Sequence, residues 1–391
     1  MTLDVAQDVA ELKEELIYLR RDLHRHPELA FQERRTAEVV ARRLTSLGYS
    51  VRTGVAETGV VGLLDSGRPG PTVMVRADMD ALPIQEPRDR PYSSVHDGVM
   101  HACGHDAHTA IGLSVAAVLA KHRQRLRGKV KVVFQPAEEI IAGAQRMLDG
   151  GVMEDPPVDR VLGLHMWSPM EVGKVGVRAG AVWASVDEVR LVVRGKGGHG
   201  GLPHLSVDPV AIGAHLVTAL QTLVSREVAP QQPAVVGFGV FQAGTQFNIV
   251  PDTAELRGNI RTLDNSVRRE LLRRLPELAE GLVRAMRGEL EYEHVRGSGC
   301  VVNDPDTAEA VRRAAEAAAA AQHVVDVEQG MVGDDVAIFL ERAPGCYFLV
   351  GCANPARNIG APHHSAHFDI DEGALSVGAE VLARAALHYL G

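Results

Sequence analysis

The sequence has only four cysteines, no excess of positive charge and no long apolar run. Its 391 residues carry a formal net charge of -9 without any long run of Lys or Arg, so we expect neither nucleic acid nor an anionic membrane as a partner. No run of about eighteen apolar residues occurs, which argues against a membrane span. The cysteines, at positions 103, 300, 346 and 352, suit a reducing compartment better than a disulfide framework.

Residues 1–15 form an acidic, amphipathic helical pattern. A signal peptide would instead begin with basic residues and continue with an apolar stretch, so we expect a cytoplasmic protein. Hydrophobic residues make up 46% of the chain and charged residues 23%, which is ordinary globular usage with enough apolar surface for a sizeable core. The length favours two domains.

Short β-branched segments alternate with helical patterns in the first part of the chain, beginning with 60–64. Further strands are predicted at 72–76, 129–134 and 160–164, and a helix at 107–122. This alternation predicts an α/β fold with a mostly parallel sheet flanked by helices. The helix is apolar on nearly every face, so we expect it to be packed between layers.

The pattern changes between about 182 and 296, where the predicted order is βαββαβ. Such an order describes a self-contained sandwich. We therefore predict that residues 1–181 and 297–391 form one interrupted domain and that residues 182–296 form an inserted domain. A helix built largely of alanine is predicted at 306–322, because alanine is the strongest helix former.

Polar side chains follow the predicted strands at their carboxyl ends. Asp78 and Asp80 follow the second strand, Glu138 and Glu139 follow the third, and His165 follows the fourth. In an open parallel sheet, ligands bind beyond the carboxyl ends of the strands. These side chains are therefore expected to meet at one edge of the sheet.

The segment HACGHDAH, residues 101–108, places Cys103 and His105 two positions apart just before the buried helix. A thiolate and an imidazole at this spacing can reach one metal ion or two adjacent ions. Each clue also has an ordinary explanation: a polar helix cap with an inert cysteine, a solvated Glu-Glu pair, or a core histidine. One metal site explains all of them together.

Seven segments, in order along nearly the whole chain, resemble the dimetal metallopeptidase family of aminoacylases and carboxypeptidases. The resemblance is to its amidohydrolase branch, which includes hippurate hydrolases and auxin-conjugate hydrolases. The segments are DLHRHPELAFQE (22–33), RADMDALPIQE (76–86), HACGHDAHTA (101–110), QPAEE (135–139), LGLHMW (162–167), GKGGHGGLPH (195–204) and HHSAHFDID (363–371).

This resemblance implies a catalytic domain interrupted by a lid domain, with two divalent metal ions per subunit. The implied general base is Glu138, and Asp80 is expected to orient a ligand from behind. Zinc suits mixed thiolate, imidazole and carboxylate donors best, with manganese, cobalt and nickel as alternatives. The implied metal ligands are Cys103, His105, Glu139, His165 and His364.

Two residues near these ligands keep no assigned role. Asp78 lies at a strand end, and His363 stands beside His364. We choose His364 as the ligand because it aligns with the His-Ser pair of the family. The segment GDDVAIF (333–339) differs from the family pattern, which leaves the shape of the acyl pocket open.

The lid domain of the family supplies a histidine in a G-x-x-x-H-x-x-x-P motif, which here is His199. This histidine is expected to stabilise an oxyanion on the active site of a partner subunit, which implies a homodimer; an incidental histidine in a glycine-rich turn is the alternative. Asn248 and Arg261 lie where relatives hold substrate. Arg261 is suited to a carboxylate, although a solvated surface pair explains it nearly as well.

The resulting hypothesis is a metal-dependent amidohydrolase that converts an N-acetyl, N-aroyl or longer N-acyl amino acid to a carboxylic acid and a free amino acid. Glu138 would accept a proton from water and return it to the leaving amine. A dipeptidase or carboxypeptidase of the same family is the alternative enzyme. A catalytically silent metal-binding dimer is the alternative outside enzymes, and the presence of both Glu138 and His199 argues against it.

Overall fold

The computed structural model describes residues 3–391, which divide into two compact units. The larger unit comprises the chain up to Gly180 together with residues 302–328 and 335–391. The smaller unit comprises residues 181–301 and 329–334. Within residues 3–391, no helix is both long enough and apolar enough to cross a membrane.

The helices and strands are numbered in chain order. The helices are α1 (Val5–Arg25), α2 (Arg34–Ser46), α3 (His105–Lys121), α4 (Gly143–Asp149), α5 (Pro209–Thr222), α6 (Asn265–Ala285), α7 (Pro305–Glu316), α8 (Ala337–Leu340) and α9 (Gly373–Leu390). The strands are β1 (Ser50–Val55), β2 (Gly59–Asp65), β3 (Thr72–Asp78), β4 (Lys129–Gln135), β5 (Arg160–Glu171), β6 (Lys174–Gly176), β7 (Gly180–Trp183), β8 (Val186–Arg194), β9 (Gly198–His199), β10 (Ala234–Ala243), β11 (Ile249–Val250), β12 (Thr253–Thr262), β13 (Glu289–Ser298), β14 (Val301–Asn303), β15 (His323–Val325) and β16 (Gly345–Ala353).

The larger unit is built on one eight-stranded sheet in the order β1-β2-β4-β3-β5-β16-β6-β15. Strand β3 runs parallel to both β4 and β5, and β5 runs parallel to β16. The predicted α/β fold class is therefore confirmed. The first hairpin departs from the parallel pattern, because β2 is antiparallel to both β1 and β4. Its tight turn uses positive φ angles at Ala56 and Glu57.

Helix α3 lies against this sheet and is buried from His105 to Leu119, as predicted from the apolar residues on nearly every face of the helix. A Cβ atom added at Gly112 would lie 3.0 Å from the ring of Phe134 on β4 and 3.3 Å from Ala77 on β3. Glycine therefore lets the helix approach the sheet closely. The close packing fixes the position of the N-terminus of α3, where the metal-ligand candidates begin.

The alanine-rich helix is shorter than the sequence predicts. Helix α7 ends at Glu316, whereas the predicted helix continued to 322. The backbone N–H groups of Ala319 and Ala320 instead donate to the carboxylate of Glu380 on α9, each at 3.0 Å. A carboxylate from a distant helix has replaced the carbonyl partners that further helical turns would have used.

The smaller unit contains a four-stranded antiparallel sheet in the order β10-β12-β8-β13. Helices α5 and α6 pack on the sheet and against each other. Buried Leu191, Leu216 and Leu275 belong to the apolar core between the helices and the sheet. From β8 to β13, and apart from the short strands β9 and β11, the helices and strands follow the chain in the order βαββαβ.

Candidate metal centre

The carboxyl ends of three parallel strands bring polar side chains to one edge of the large sheet. Strand β3 ends at Asp78, β4 ends just before the loop that contains Glu138 and Glu139, and β5 contains His165. Strand β5 continues to Glu171, so His165 lies inside the strand rather than after it as predicted. The turn before α3 contributes Cys103 at the same edge.

The five predicted metal ligands lie close together in the larger unit. The ligand atoms of Cys103, His105 and His165 all lie within 4.8 Å of one another, and the same holds for Cys103, Glu139 and His364. The Sγ atom of Cys103 is 3.6 Å from Nε2 of His165. Nε2 of His364 is 3.2 Å from Oε2 of Glu139. Two overlapping groups of donors thus share Cys103.

This arrangement fits a divalent cation. The Nε2 atom of His105 and the Oε1 atom of Glu139 are buried and have no hydrogen-bond partner among residues 3–391, although they lie 3.8 Å apart. The other ring nitrogen of His105, Nδ1, is 2.9 Å from the backbone oxygen of Asp80 and donates to it, which leaves Nε2 as the donor atom for a metal. Mixed thiolate, imidazole and carboxylate donors are typical of zinc sites.

The electrostatics of the centre also favour a cation. Burial lowers the pKa of His105, but the carboxylates of Asp78, Asp80 and Glu139 outweigh burial and raise the pKa to about 10. Burial raises the pKa of the Cys103 thiol well above its usual value, and the neighbouring carboxylates raise it further. Protons therefore remain on groups that a divalent metal would deprotonate on binding.

Asp80 holds the backbone of the glutamate pair. Its Oδ1 atom accepts the N–H of Glu138 at 3.0 Å, and its Oδ2 atom accepts the N–H of Glu139 at 3.0 Å. Because the backbone oxygen of Asp80 also accepts from His105, this one residue orients three members of the centre. Glu138 Oε2 lies 3.8 Å from Nε2 of His105, beside the ligand candidates.

Asp78, which has no predicted role, pairs with His108. The Nε2 atom of His108 accepts the N–H of Met166 at 2.8 Å, so the ring proton is on Nδ1, which donates to Asp78 Oδ1 at 2.6 Å. Asp78 also accepts from Arg76 at 2.7 Å. Both nitrogens of His108 are used in this bracing of β3 against α3 and β5, so neither is available to a metal.

The second residue without a predicted role, His363, faces the thiol of Cys103. Its Nε2 atom accepts the N–H of Ser168 at 3.2 Å. The proton of the neutral ring is therefore on Nδ1, which lies 3.9 Å from Cys103 Sγ and points a donor at the sulfur. The ring stacks on Trp167. Sequence alone could not divide these roles, because adjacent histidines can be distinguished only by their contacts.

The smaller unit contains the remaining predicted site residues. His199 on β9 pairs with Ile249 on β11, and its Nδ1 atom accepts the N–H of Gly201 at 2.9 Å. A neutral His199 ring therefore has its proton on Nε2, as an oxyanion donor requires. The backbone oxygen of Asn248 accepts the N–H of Gly200, so Asn248 and His199 are neighbours.

Arg261 lies on β12 and donates to two groups of the smaller unit. Its Nη1 atom donates to the backbone oxygen of Met331 at 2.9 Å, and its Nε atom donates to Asn259 Oδ1 at 3.3 Å. Burial lowers the pKa of the guanidinium, which nevertheless stays charged. These contacts fix the direction of the side chain without pairing it to a carboxylate.

Comparison with known proteins identifies clear relatives. Residues 74–388 match the model of the family described as Peptidase family M20/M25/M40. An N-acyl-L-amino acid amidohydrolase of Geobacillus stearothermophilus is 42% identical over 77% of this chain and 81% of its own. An N-acetylcysteine deacetylase of Bacillus subtilis is 38% identical over 96% and 97%.

Two further relatives extend the comparison. Thermostable carboxypeptidase 1 of Saccharolobus solfataricus is 38% identical over 98% of this chain and 97% of its own. The crystal structure of the YXEP protein of Bacillus subtilis, a dinuclear metal-binding peptidase of the M20 family, superposes with a TM-score of 0.81 at 34% identity. That alignment covers 97% of this chain and 98% of the YXEP chain.

Proposed function

Because this hydrolase belongs to the peptidase family M20/M25/M40, we propose that it is a metal-dependent amidohydrolase of N-acyl amino acids. Its products would be a carboxylic acid and a free amino acid. The observation that carries the proposal is the position of Glu138. Its carboxylate lies 3.8 Å from His105 Nε2, beside the ligand candidates, and its backbone is held by Asp80. A carboxylate next to a metal centre is suited to general-base catalysis.

The proposed metal site combines thiolate, imidazole and carboxylate donors. They come from four segments of the larger unit: the turn into α3, the loop after β4, strand β5 and the segment before α9. Two divalent ions held there would polarise the scissile carbonyl and acidify a water molecule. We propose zinc as the native metal, because thiolate and imidazole donors favour it over magnesium or calcium. The proposed ligands are Cys103, His105, Glu139, His165 and His364.

The side chains of this chain would then handle the proton and the developing charge. Glu138 would accept the proton of the attacking water and return it to the leaving amine. His199 would donate its Nε2–H to the oxyanion. Asn248 would bind the substrate amide, and Arg261 would bind the carboxylate of the amino acid.

A carboxypeptidase activity is the second candidate. It is supported by the similarity to thermostable carboxypeptidase 1 along nearly the whole of both chains. Both activities break an amide bond next to a carboxylate and can use the same metal centre. The candidates differ in whether the amino group of the substrate is acylated.

We also propose a homodimer formed through the smaller unit. Apolar side chains are exposed along the edge strand β10 and near the start of α5, and Phe247 is 99% exposed. Exposed apolar patches of this kind mark interaction surfaces. Besides Phe247, the exposed apolar side chains in this part of the smaller unit are Leu202, Leu205, Val210, Val235, Phe241 and Ile249. A cytoplasmic location is supported by the four cysteines, which are all buried and form no disulfide bond with one another.

The first test measures amino-acid release from N-acetyl, N-benzoyl and long-chain N-acyl amino acids and from unblocked dipeptides. We expect chelation to abolish hydrolysis of the N-acyl substrates and added zinc, manganese or cobalt to restore it. Glu138→Gln should lower kcat by about 100- to 10,000-fold while metal content stays at the wild-type value. The neighbouring Glu139→Gln is the matched control and should lower metal content.

Two results would contradict the proposal. If Glu138→Gln retained most of its kcat, another group would be the base. If metal restored cleavage of free dipeptides alone, the assignment would move to the peptidase.

A further inference from the structure

The loop that contains the glutamate pair has a strained backbone. It connects β4 to α4, and both Ala137 and Ile141 have positive φ angles, at 55° and 52°. Side chains with a Cβ atom disfavour this left-handed region, and a β-branched residue such as isoleucine does so strongly. Such strain persists only where surrounding contacts enforce it. The contacts that hold this loop therefore determine where Glu138 points.

Three buried carboxylates hold the loop. Asp80 accepts the N–H groups of Glu138 and Glu139, and Asp335 accepts the N–H of Ala144 at 3.0 Å on the far side. The third carboxylate is Glu33, whose Oε1 atom accepts the N–H of Ala137 at 2.9 Å. The N–H groups of residues 137–139, three in succession, thus all donate to carboxylates.

Glu33 makes these contacts although its position in the chain would suggest another role. It is the residue before α2, yet its side chain makes no hydrogen bond to that helix. Glu28 does so instead, accepting the N–H of Arg35 at 2.9 Å and that of Thr36 at 2.8 Å. Glu33 is fully buried, and its second oxygen accepts from the hydroxyl of Thr58 at 2.6 Å. Burying a carboxylate is costly without such partners.

We propose that Glu33 is a positioning residue for the general base Glu138. By accepting the N–H of Ala137, the Glu33 carboxylate holds Ala137, the residue before Glu138, in the left-handed backbone conformation. This turn directs the next two N–H groups at Asp80, which fixes the direction of the catalytic carboxylate. The inference rests on the proposed function, because kcat responds to Glu33 only if Glu138 is the base.

The experiment compares three substitutions at Glu33 in the full-length, metal-loaded enzyme. Glu33→Ala should lower kcat by about 10- to 100-fold with KM within about threefold, because small misplacements of catalytic groups cost this much. Glu33→Asp keeps the charge but is one methylene too short to reach Ala137, so it should lose nearly as much. Glu33→Gln should retain kcat within about threefold, since its amide can accept from Ala137 and donate to Thr58.

Glu28→Ala is the matched control, because it removes a neighbouring carboxylate that accepts the N–H groups of Arg35 and Thr36 at the start of α2. It should lower the thermal midpoint while leaving kcat within about twofold of the wild-type value. The inference is wrong if folded Glu33→Ala keeps its kcat or if Glu28→Ala loses as much. If Glu33→Ala does not fold, the kcat values of the other two variants are compared. The inference is then overturned if the kcat of Glu33→Asp equals or exceeds that of Glu33→Gln.

Hydrogen exchange separates this inference from the proposed function. Amides of residues 136–144 should exchange faster in Glu33→Ala than in the wild type, whereas Glu28→Ala should speed exchange only in α2. If the wild type hydrolyses no N-acyl substrate, the proposed function fails while this comparison still tests the contact. Unchanged exchange in 136–144 would show that Glu33 does not hold the loop.

Discussion

Individual buried carboxylates position the backbone in the larger unit, and each accepts N–H groups far from its own position. Asp80 holds the glutamate pair, Glu33 holds Ala137, and Glu380 holds the chain after α7. A carboxylate has about four lone-pair sites and can serve two donors at once. Hydrogen bonds to a charged acceptor contribute more than those between neutral groups. These carboxylates therefore stabilise local backbone conformations that would be unfavourable without them.

The titration of Glu33 gives a prediction about stability. Burial, and to a lesser degree the charge of Asp80, raise the pKa of Glu33 from 4.5 to about 7, although the Thr58 hydroxyl and the Ala137 N–H act in the opposite direction. Between pH 4.5 and about pH 7, Glu33 keeps a proton in the folded protein that it has released in the unfolded chain. The contribution of Glu33 to the free energy of unfolding must therefore fall as pH rises through this window, by at most about 3 kcal/mol.

Glutamine at position 33 has no such titration. From about pH 5 to pH 8, the free energy of unfolding of Glu33→Gln should consequently rise relative to that of the wild type, as measured by urea unfolding of metal-free protein. Val40→Ala, a buried change on α2, is the control, and its difference from the wild type should not vary with pH. A constant difference for Glu33→Gln as well would mean that Glu33 keeps an ordinary pKa.

The sequence predicted the roles of residues that can be recognised from local spacing. It missed the roles of residues whose contacts are distant along the chain. Cys103 and His105 form a recognisable pair because side chains two positions apart on one turn can reach one metal ion or two adjacent ions. By contrast, the contact between Glu33 and Ala137 joins residues 104 positions apart. No periodicity or spacing reports such a contact. The same reason applies to His363, whose direction depends on the distant Ser168 on β5.

At the scale of elements, the apolar patterns of the sequence predicted α3 and the strands well. The helix propensity of alanine, by contrast, predicted the wrong end for α7. Alanine favours helix at every position from Ala317 to Ala321, yet the helix stops at Glu316. Each alanine contributes only a small preference, and two hydrogen bonds to one buried carboxylate outweigh it. Tertiary contacts thus set where this element ends.

We therefore expect Glu380 to control the conformation of the segment after α7. Glu380→Ala should lower the free energy of unfolding by about 1 to 3 kcal/mol and speed amide exchange at residues 319–320, because both N–H groups lose their acceptor. Arg384 also binds Glu380, at 2.9 Å, so Arg384→Ala removes the ion pair and leaves the acceptors in place. It should cost less and leave exchange at 319–320 unchanged. Equal effects of the two substitutions would assign the stabilisation to the ion pair.

At the scale of the whole molecule, the proposed catalytic groups belong to two compact units. Glu138 and the metal-ligand candidates lie in the larger unit, and His199 lies in the smaller one. In the proposed homodimer, His199 would act either within its own chain or on the second subunit. The exposed apolar side chains around β10 support the proposed homodimer, because an isologous contact would cover both copies at once.

Mixing two inactive variants distinguishes these arrangements. Glu138→Ala lacks the proposed base and His199→Ala lacks the proposed oxyanion donor, so we expect each variant alone to be nearly inactive. If His199 acts across the dimer, random exchange of subunits makes half of the dimers mixed, and each mixed dimer has one intact site. Activity should then recover to roughly a quarter of the wild-type value. Tagged subunits would prove the exchange, and no recovery after proven exchange would show that His199 acts within its own chain.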